Sequence, residues 1–376
     1  MRRRERWEYL GSAPRVAWDA IVGGQYRFTF DTMPMAVRGM SWPARLNLLA
    51  AGLNLARRRL RPWSWPLHMQ IELTSFCDLE CPVCPTGLGA LRRAASAIDP
   101  ELLEQILREA GPYLLTLSLW AWGEPLLYKH LGRALEAAGR YPMVTLLSTN
   151  GQSLSAPRVQ EALRAHPPTY LIVAIDGLTD ATNSVYRKGA RLAPALDGVR
   201  ALADWKQQTG ARFPVLHCRF IAMRQNEHEL PRLRGFAEEA GFDMVSLRSL
   251  SIIDAAEDAH RGMVPAAERL RAYRYEHGRR VRRRDFVCQY AFSFPTVLAD
   301  GTVVACDQDF NGREPYGVLR KGGSFRSIWT SRRASEVRRT IRDRPGEFSF
   351  CRNCPYADRP ISSCSFDGYA VRPFEV

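Results

Sequence analysis

Three cysteines, Cys77, Cys81 and Cys84, stand in the run Glu72-Leu73-Thr74-Ser75-Phe76-Cys77-Asp78-Leu79-Glu80-Cys81-Pro82-Val83-Cys84-Pro85. Thiolates this close together can wrap one metal centre. A four-iron cluster held by protein alone normally takes four cysteines, so three leave one iron open, and an open position marks a catalytic rather than a structural site. Short cysteine spacings also recur in zinc modules. A zinc site completed by a distant histidine, or cysteines with a purely structural role, therefore stands beside the iron–sulfur reading. Five more cysteines, Cys288, Cys306, Cys351, Cys354 and Cys364, gather toward the C-terminus, where a zinc ribbon is the alternative. Cys218 stands alone in an apolar, strand-like stretch and reads as core packing.

Whether those thiols are free depends on the compartment. The opening Met1-Arg2-Arg3-Arg4-Glu5-Arg6-Trp7 is basic, but charged residues recur too soon after it for an apolar signal core to form. The longest uncharged run, Tyr141 to Pro157, contains Ser148-Thr149-Asn150-Gly151-Gln152-Ser153 and cannot cross a bilayer. A cytoplasmic chain is expected, in which nine cysteines stay reduced and clustered ones serve metals rather than disulfides. With 376 residues, 46% of them hydrophobic, the chain can bury a sizeable core in two or three domains. A formal charge of +14 favours an anionic partner such as nucleic acid, phospholipid or a phosphorylated substrate, although arginine-rich codon usage produces the same excess without one.

The elements that must hold the cysteines emerge from periodicity. Strand-like stretches run Met69 to Leu73, Leu115 to Leu119, Val144 to Leu147, Tyr170 to Ile175, Leu216 to Ala222 and Met244 to Leu247, with amphipathic helices between them. Asp99 reads as an N-cap with Pro100 in the first helical position and Gly111 as the stop. Asn226 reads as another N-cap, with Glu229 completing a capping box and Gly241 closing that helix. Strands separated by single helices pair in parallel through right-handed crossovers, which gives an α/β fold with a partial (β/α)6 barrel, open on one side. The first cysteines then lie in a loop at the C-terminal end of the first strand, where barrels build their sites. Trp122-Gly123-Glu124-Pro125 ends the second strand, Ser148-Thr149-Asn150-Gly151 the third, and Asp176-Gly177 the fourth, with Tyr186-Arg187 beyond.

Residues 1–66 form a basic N-terminal extension without strand pattern, residues 67–281 the barrel, and residues 282–376 a smaller, cysteine-rich α+β domain. In that domain Ala299-Asp300-Gly301-Thr302-Val303-Val304 reads as a hairpin ending beside Cys306. In the extension, Leu46, Leu49, Leu53, Ala56 and Leu60 keep helical spacing and are followed by Arg57-Arg58-Arg59, Arg61, Trp63 and Trp65. Two readings stay open for this helix: it lies on a membrane surface, or it packs on the barrel with its arginines in water.

The CxxxCxxC motif, the GEP and the STNG in this order resemble the radical S-adenosylmethionine (SAM) superfamily over residues 67 to about 255. The resemblance implies a [4Fe–4S] cluster on Cys77, Cys81 and Cys84 whose open iron chelates SAM. It makes Trp122, Gly123, Glu124, Ser148, Asn150, Asp176 and Arg187 the candidates for holding SAM. An ammonium calls for an acceptor such as Glu124, a carboxylate for a cation such as Arg187, and ribose hydroxyls for short polar groups. Trp122 stands where the family has the first glycine of GGE, and Val83 where an aromatic residue commonly precedes the last cysteine.

Cys288, Cys306, Cys351, Cys354 and Cys364 resemble the family's SPASM and twitch extensions, which hold auxiliary clusters. The full pattern would place a cysteine at position 360, which is Pro360 here, so five thiols remain where two clusters need six or seven. One auxiliary [4Fe–4S] cluster on Cys288, Cys306, Cys351 and Cys354 is implied, with Cys364 a substitute ligand or a free thiol. The resemblance further implies a flavodoxin- or ferredoxin-type electron donor and reductive cleavage of SAM to a 5′-deoxyadenosyl radical that abstracts hydrogen from a substrate. A small-molecule or lipid-linked substrate is expected, with a peptide as the alternative, and no nucleic acid. A non-catalytic iron–sulfur or zinc protein that binds nucleic acid would not need GEP and STNG at consecutive strand ends, nor are aromatic and basic residues interleaved as in RNA-binding sheets.

Overall fold

The computed structural model describes residue 15 and residues 18–251, 261–271, 274–276, 279–281, 288–352, 354–356 and 365–376. Cys364 and Pro360 lie outside the described residues. The N-terminal extension, expected to lack strands, contains a hairpin, β1 (Tyr26–Phe30) and β2 (Met33–Val37). Its two-residue turn, Asp31-Thr32, has φ of 51° and 67°. Left-handed values at both positions match the right-handed twist of the flanking strands, but a β-branched residue rarely adopts them, which is why the sequence carries no hairpin signal there.

Helix α1 (Trp42–Arg57) comes next, with Ser41 as N-cap and Pro43 in its first turn. It ends at Arg58 (φ 44°), so Leu60 is not part of the helical stripe expected of it and instead packs against the main core. The buried positions of α1 are Ala44, Asn47, Ala51 and Asn54, and Leu46, Leu49 and Leu53 face outward.

Then the barrel alternation runs β3 (His68–Ile71), α2 (Pro100–Ala110), β4 (Thr116–Ser118), α3 (Leu131–Gly139), β5 (Val144–Thr149), α4 (Pro157–Ala165), β6 (Tyr170–Ala174), α5 (Asp180–Tyr186), α6 (Leu192–Thr209), β7 (Val215–Ala222), α7 (Leu233–Ala240) and β8 (Met244–Ser249). These six strands pair in parallel and in chain order. Asp99 caps α2 by accepting from the amides of Glu101 and Leu102. The capping box expected at Asn226 does not form: a 3-10 turn, Glu227–Arg232, precedes α7, and the Asn226 and Glu229 side chains turn inward to other partners. Gly241 (φ 93°) does close that helix.

A short hairpin, β9 (Arg274–Glu276) and β10 (Arg279–Val281), leads to the cysteine-rich region, which extends the same sheet. There β11 (Thr296–Val297) pairs in parallel with β3 and continues antiparallel into β12 (Thr302–Val304) and β13 (Gly317–Val318), while β14 (Ser365–Ala370) pairs antiparallel with β8. Both edges of the six-stranded sheet are thereby covered, which removes the unpaired ladders an open barrel would present.

Alternation sorts the strand residues between two cores. Leu147, Leu171, Val173, Cys218, Phe220 and Val245 face the helices in the main core, where Cys218 is fully buried as expected. Their neighbours Leu146, Tyr170, Ile172 and Met244 face the concave side and pack on Met33, Met35 and Val37 of β2. The hairpin is therefore a floor laid across the concave face, pinned where the Tyr170 hydroxyl donates to the Pro34 carbonyl.

Candidate functional site

The loop after β3 carries Cys77, Cys81 and Cys84 over a small apolar cluster of Leu79, Val83, Tyr186, Ala190, Met223 and Leu250. Two backbone approaches hold it. A Cβ on Gly123 would stand 2.0 Å from the Thr74 carbonyl oxygen, and one on Gly87 would stand 2.3 Å from that of Cys81, so both positions exclude any side chain. Two side chains point N–H groups at the sulfurs: Asn150 Nδ2 lies 3.9 Å from Cys77 Sγ, and Arg187 Nη1 lies 3.9 Å from Cys81 Sγ. Donors to thiolate sulfur offset the negative charge of a cluster and tune its potential, so this donor set fits an iron–sulfur group. Without a metal, burial pushes the Cys77 thiol up to about 12 and raises Cys81 as well, with Arg187 opposing the shift at Cys81. Metal binding must displace those protons.

The candidates for holding SAM converge on this loop with different roles. The Glu124 carboxylate is fully engaged by its own chain: it accepts from the amides of Leu126 (2.9 Å) and Asn150 (2.7 Å) and from the Thr149 hydroxyl (2.7 Å). It ties the loop after β4 to the end of β5 and presents backbone, rather than a free carboxylate, to the site. Burial raises it to about 7, against the pull of those three donors. Asp176 and Arg187 form a buried pair, Nε to Oδ2 at 2.6 Å, not a surface salt bridge. The second Asp176 oxygen accepts from the Ile221 amide at 2.7 Å. Ser148 sits half-buried near the end of β5, its backbone in register with Ile172.

Asn226 and Glu229, expected to cap a helix, frame this wall. Asn226 Nδ2 donates to the carbonyls of Asp176 and Ile221, and Glu229 accepts from the Leu178 amide and the Thr182 hydroxyl. Glu72, at the end of β3, is a further site residue that no sequence motif marks. Its carboxylate accepts from Arg93 (2.6 Å), from the Trp122 amide (3.3 Å) and from the Ala299 amide (3.0 Å), joining the first cysteine loop to the second cysteine region.

Cys288, Cys306, Cys351 and Cys354 together line one small pocket, with Tyr290, Tyr356 and Phe350. Four thiols around one enclosed space fit a cluster with no vacant iron. Among the described residues, no three His, Cys, Asp or Glu side chains converge as ligands of a single metal ion. The two cysteine sites share a wall. Trp122 Nε1 donates to the Asp307 carbonyl (2.7 Å), and the Asp307 carboxylate accepts from the Tyr356 hydroxyl at 3.0 and 2.9 Å. Desolvation raises the Asp307 carboxyl, against bonds from Gln308 and Tyr356. Trp122, where glycine was expected, thus links the two sites through its indole.

Between the hairpin floor and these loops lies a polar layer absent from the sequence-based site. Arg219 of β7 pairs with Asp31 of the hairpin turn at 2.8 Å, with Arg248 at 3.9 Å from the same oxygen. His217 Nε2 meets Ser246 Oγ at 2.7 Å. Ser118 Oγ and His217 Nδ1 are buried without a partner, which is costly unless a ligand or water supplies one. The signal available was period-2 polarity: His217 and Arg219 alternate with Leu216, Cys218 and Phe220 in an otherwise apolar strand.

Comparison with known proteins agrees with this geometry. The radical SAM superfamily model matches residues 71–217, and the model of an iron–sulfur cluster-binding domain, SPASM, matches residues 288–355. The chain is 23% identical over 207 residues to PqqA peptide cyclase of Gluconobacter oxydans, covering 54% of this chain and 55% of that one. It is 30% identical over 184 residues to pre-heme d1 synthase of Dinoroseobacter shibae, covering 48% and 42%. The chain thus matches about half the length of these relatives. A crystal structure of Streptococcus suis SuiB bound to the precursor peptide SuiA shares the fold, with a TM-score of 0.57, 16% identity and coverage of 86% and 79%. The two domains imply a SAM-binding 4Fe–4S cluster, an auxiliary iron–sulfur cluster and SAM itself. With the cysteine loop, the four-thiol cavity and the parallel half-barrel in place, this chain belongs to the radical SAM superfamily as an enzyme with a C-terminal SPASM domain.

Proposed function

We propose that this enzyme abstracts a hydrogen atom from a substrate seated on the concave face, between the loop of Cys77, Cys81 and Cys84 and the cavity of Cys288, Cys306, Cys351 and Cys354. The observation that carries the reading is the shared wall, Trp122 to Asp307 to Tyr356, which ties the two cysteine sites together. When bound, the first cluster and SAM supply a 5′-deoxyadenosyl radical, and the auxiliary cluster offers a place for an electron from the substrate. Arg187, held by Asp176, orients its guanidinium at the Cys81 sulfur and would hold a SAM carboxylate there. Asn150 points its side-chain amide N–H at the Cys77 sulfur. The hairpin floor excludes water from below, as radical chemistry requires. The unsatisfied Ser118 and His217 atoms suit a substrate with polar groups, a small molecule or the head of a lipid-linked one. A flavodoxin- or ferredoxin-type protein is the proposed donor, in a reducing compartment such as the cytoplasm.

A peptide substrate is the second reading, supported by the likeness to PqqA peptide cyclase and to SuiB bound to SuiA. The test is anaerobic reconstitution, then addition of dithionite and SAM. Formation of 5′-deoxyadenosine is expected, and its absence from iron-loaded protein rejects the enzyme reading. Adding extract fractions then separates the substrates: stimulation that survives protease supports the first class, and stimulation that protease abolishes supports the peptide.

A further inference from the structure

Helix α1 is amphipathic in reverse. Its buried face holds two asparagines, each satisfied: Asn47 accepts from the Trp65 amide (2.8 Å), and Asn54 donates to Ser64 Oγ (2.7 Å). Polar bonds therefore join Ala44, Ala51, Leu48 and Leu55 in docking the helix, while its largest apolar stripe points to solvent. Trp42, Leu46, Leu49 and Leu53, spaced i, i+4, i+7 and i+11 on one face, are 61%, 62%, 47% and 49% exposed. Trp18 (65%), Val22 (52%) and Trp63 (55%) extend the patch. Arg45 binds its parts together: its guanidinium lies 4.6 Å over Trp42 and donates to the carbonyls of Ile21 and Val22. Arg59 lies 3.6 Å over Trp63 at the other end. Single exposed hydrophobes are ordinary on a protein surface, but seven of the eleven among the described residues fall within residues 18–63.

From these observations we propose that this face docks on an anionic phospholipid bilayer. Charge chooses the occupant. Between Asp31 and Glu72 the chain has six arginines (Arg38, Arg45, Arg57, Arg58, Arg59 and Arg61) and no acidic residue. A second copy seated on the same face would oppose arginine to arginine across a two-fold axis, with Asp19 the one exposed carboxylate between residues 18 and 63 to relieve it. Lipid phosphates relieve it, and each arginine near such a surface adds to binding. Leucines on the apolar side, arginines at the flanks and tryptophans at both ends are the pattern of a helix lying in the headgroup plane. No helix among the described residues is long and apolar enough to cross a membrane, so the contact is peripheral.

The test uses the full, cluster-loaded chain in flotation with phosphatidylcholine vesicles and with vesicles that also contain phosphatidylglycerol. Flotation with the anionic vesicles is expected, weaker with neutral ones and reversed by salt. Leu46→Glu/Leu49→Glu/Leu53→Glu should lower the partition about a hundredfold while iron content and SAM binding stay unchanged. Arg57→Glu/Arg61→Glu tests the charged half and leaves the leucines in place, with a loss of the anionic preference expected. The proposal is overturned if anionic vesicles do not carry the protein up, or if the leucine variant floats as the native chain does. It is also overturned if the leucine variant abolishes a dimer in sedimentation while vesicles bind neither form.

Discussion

At Glu124 one buried carboxylate accepts from three donors and still carries a pKa of about 7, because desolvation outweighs the bonds. In the unfolded chain the same group sits near 4.5, so between these values the native state holds the extra proton. The unfolded state then binds fewer protons, and stability falls as pH rises through the window. Glu124→Gln should remove that slope and cost about 1–3 kcal/mol, since an amide nitrogen would face the Asn150 or Leu126 amide. Urea unfolding on either side of the window measures both. Asp176→Asn leaves Arg187 charged and buried without its partner and should cost about 3 kcal/mol in the same assay. The cysteine spacing, GEP and STNG were legible because local chemistry dictates them. Glu72, Asn226 and Glu229 were not, because each acts on backbone groups distant in sequence, and their local context suggests a strand end and a helix cap.

Among the elements, the six parallel strands were readable from apolar runs, and Asp99 and Gly241 bounded their helices as capping chemistry requires, whereas Gly111 follows α2 in right-handed geometry and leads into a 3-10 turn. The N-terminal hairpin was hidden because its turn uses Thr32 at φ 67° where glycine or asparagine would announce it. Thr32→Gly should raise stability by about 1 kcal/mol through relief of the left-handed strain, seen as a higher midpoint in thermal unfolding. Asp31→Asn should act oppositely, because Arg219 and Arg248 would keep their charges beside a neutral partner. Helix α1 shows a limit of periodicity: a leucine stripe fixes which residues share a face, but not whether that face meets protein. The asparagines on the other side decide it, and nothing in their spacing foretells that Trp65 and Ser64 return to meet them.

For the whole molecule, the cysteine-rich domain and the barrel share one sheet, so the two cluster sites are set by a common register and not by a mobile joint. Reconstituted protein should carry about eight irons, and Cys306→Ala or Cys351→Ala about four. Cys364→Ala should leave about eight, since four other cysteines line the cavity and the SPASM match ends at residue 355. Iron and sulfide analysis decides each case. The hairpin beneath the strands gives the half-barrel a closed bottom. A closed bottom makes the half-barrel a cup, and a cup is filled and emptied over its rim. A substrate seated on the concave face as proposed would have to go in before SAM is held at the loop of Cys77, Cys81 and Cys84, and its product would leave after the spent nucleoside. Binding in a fixed order, readable from product-inhibition patterns, is what such a vessel imposes on its contents.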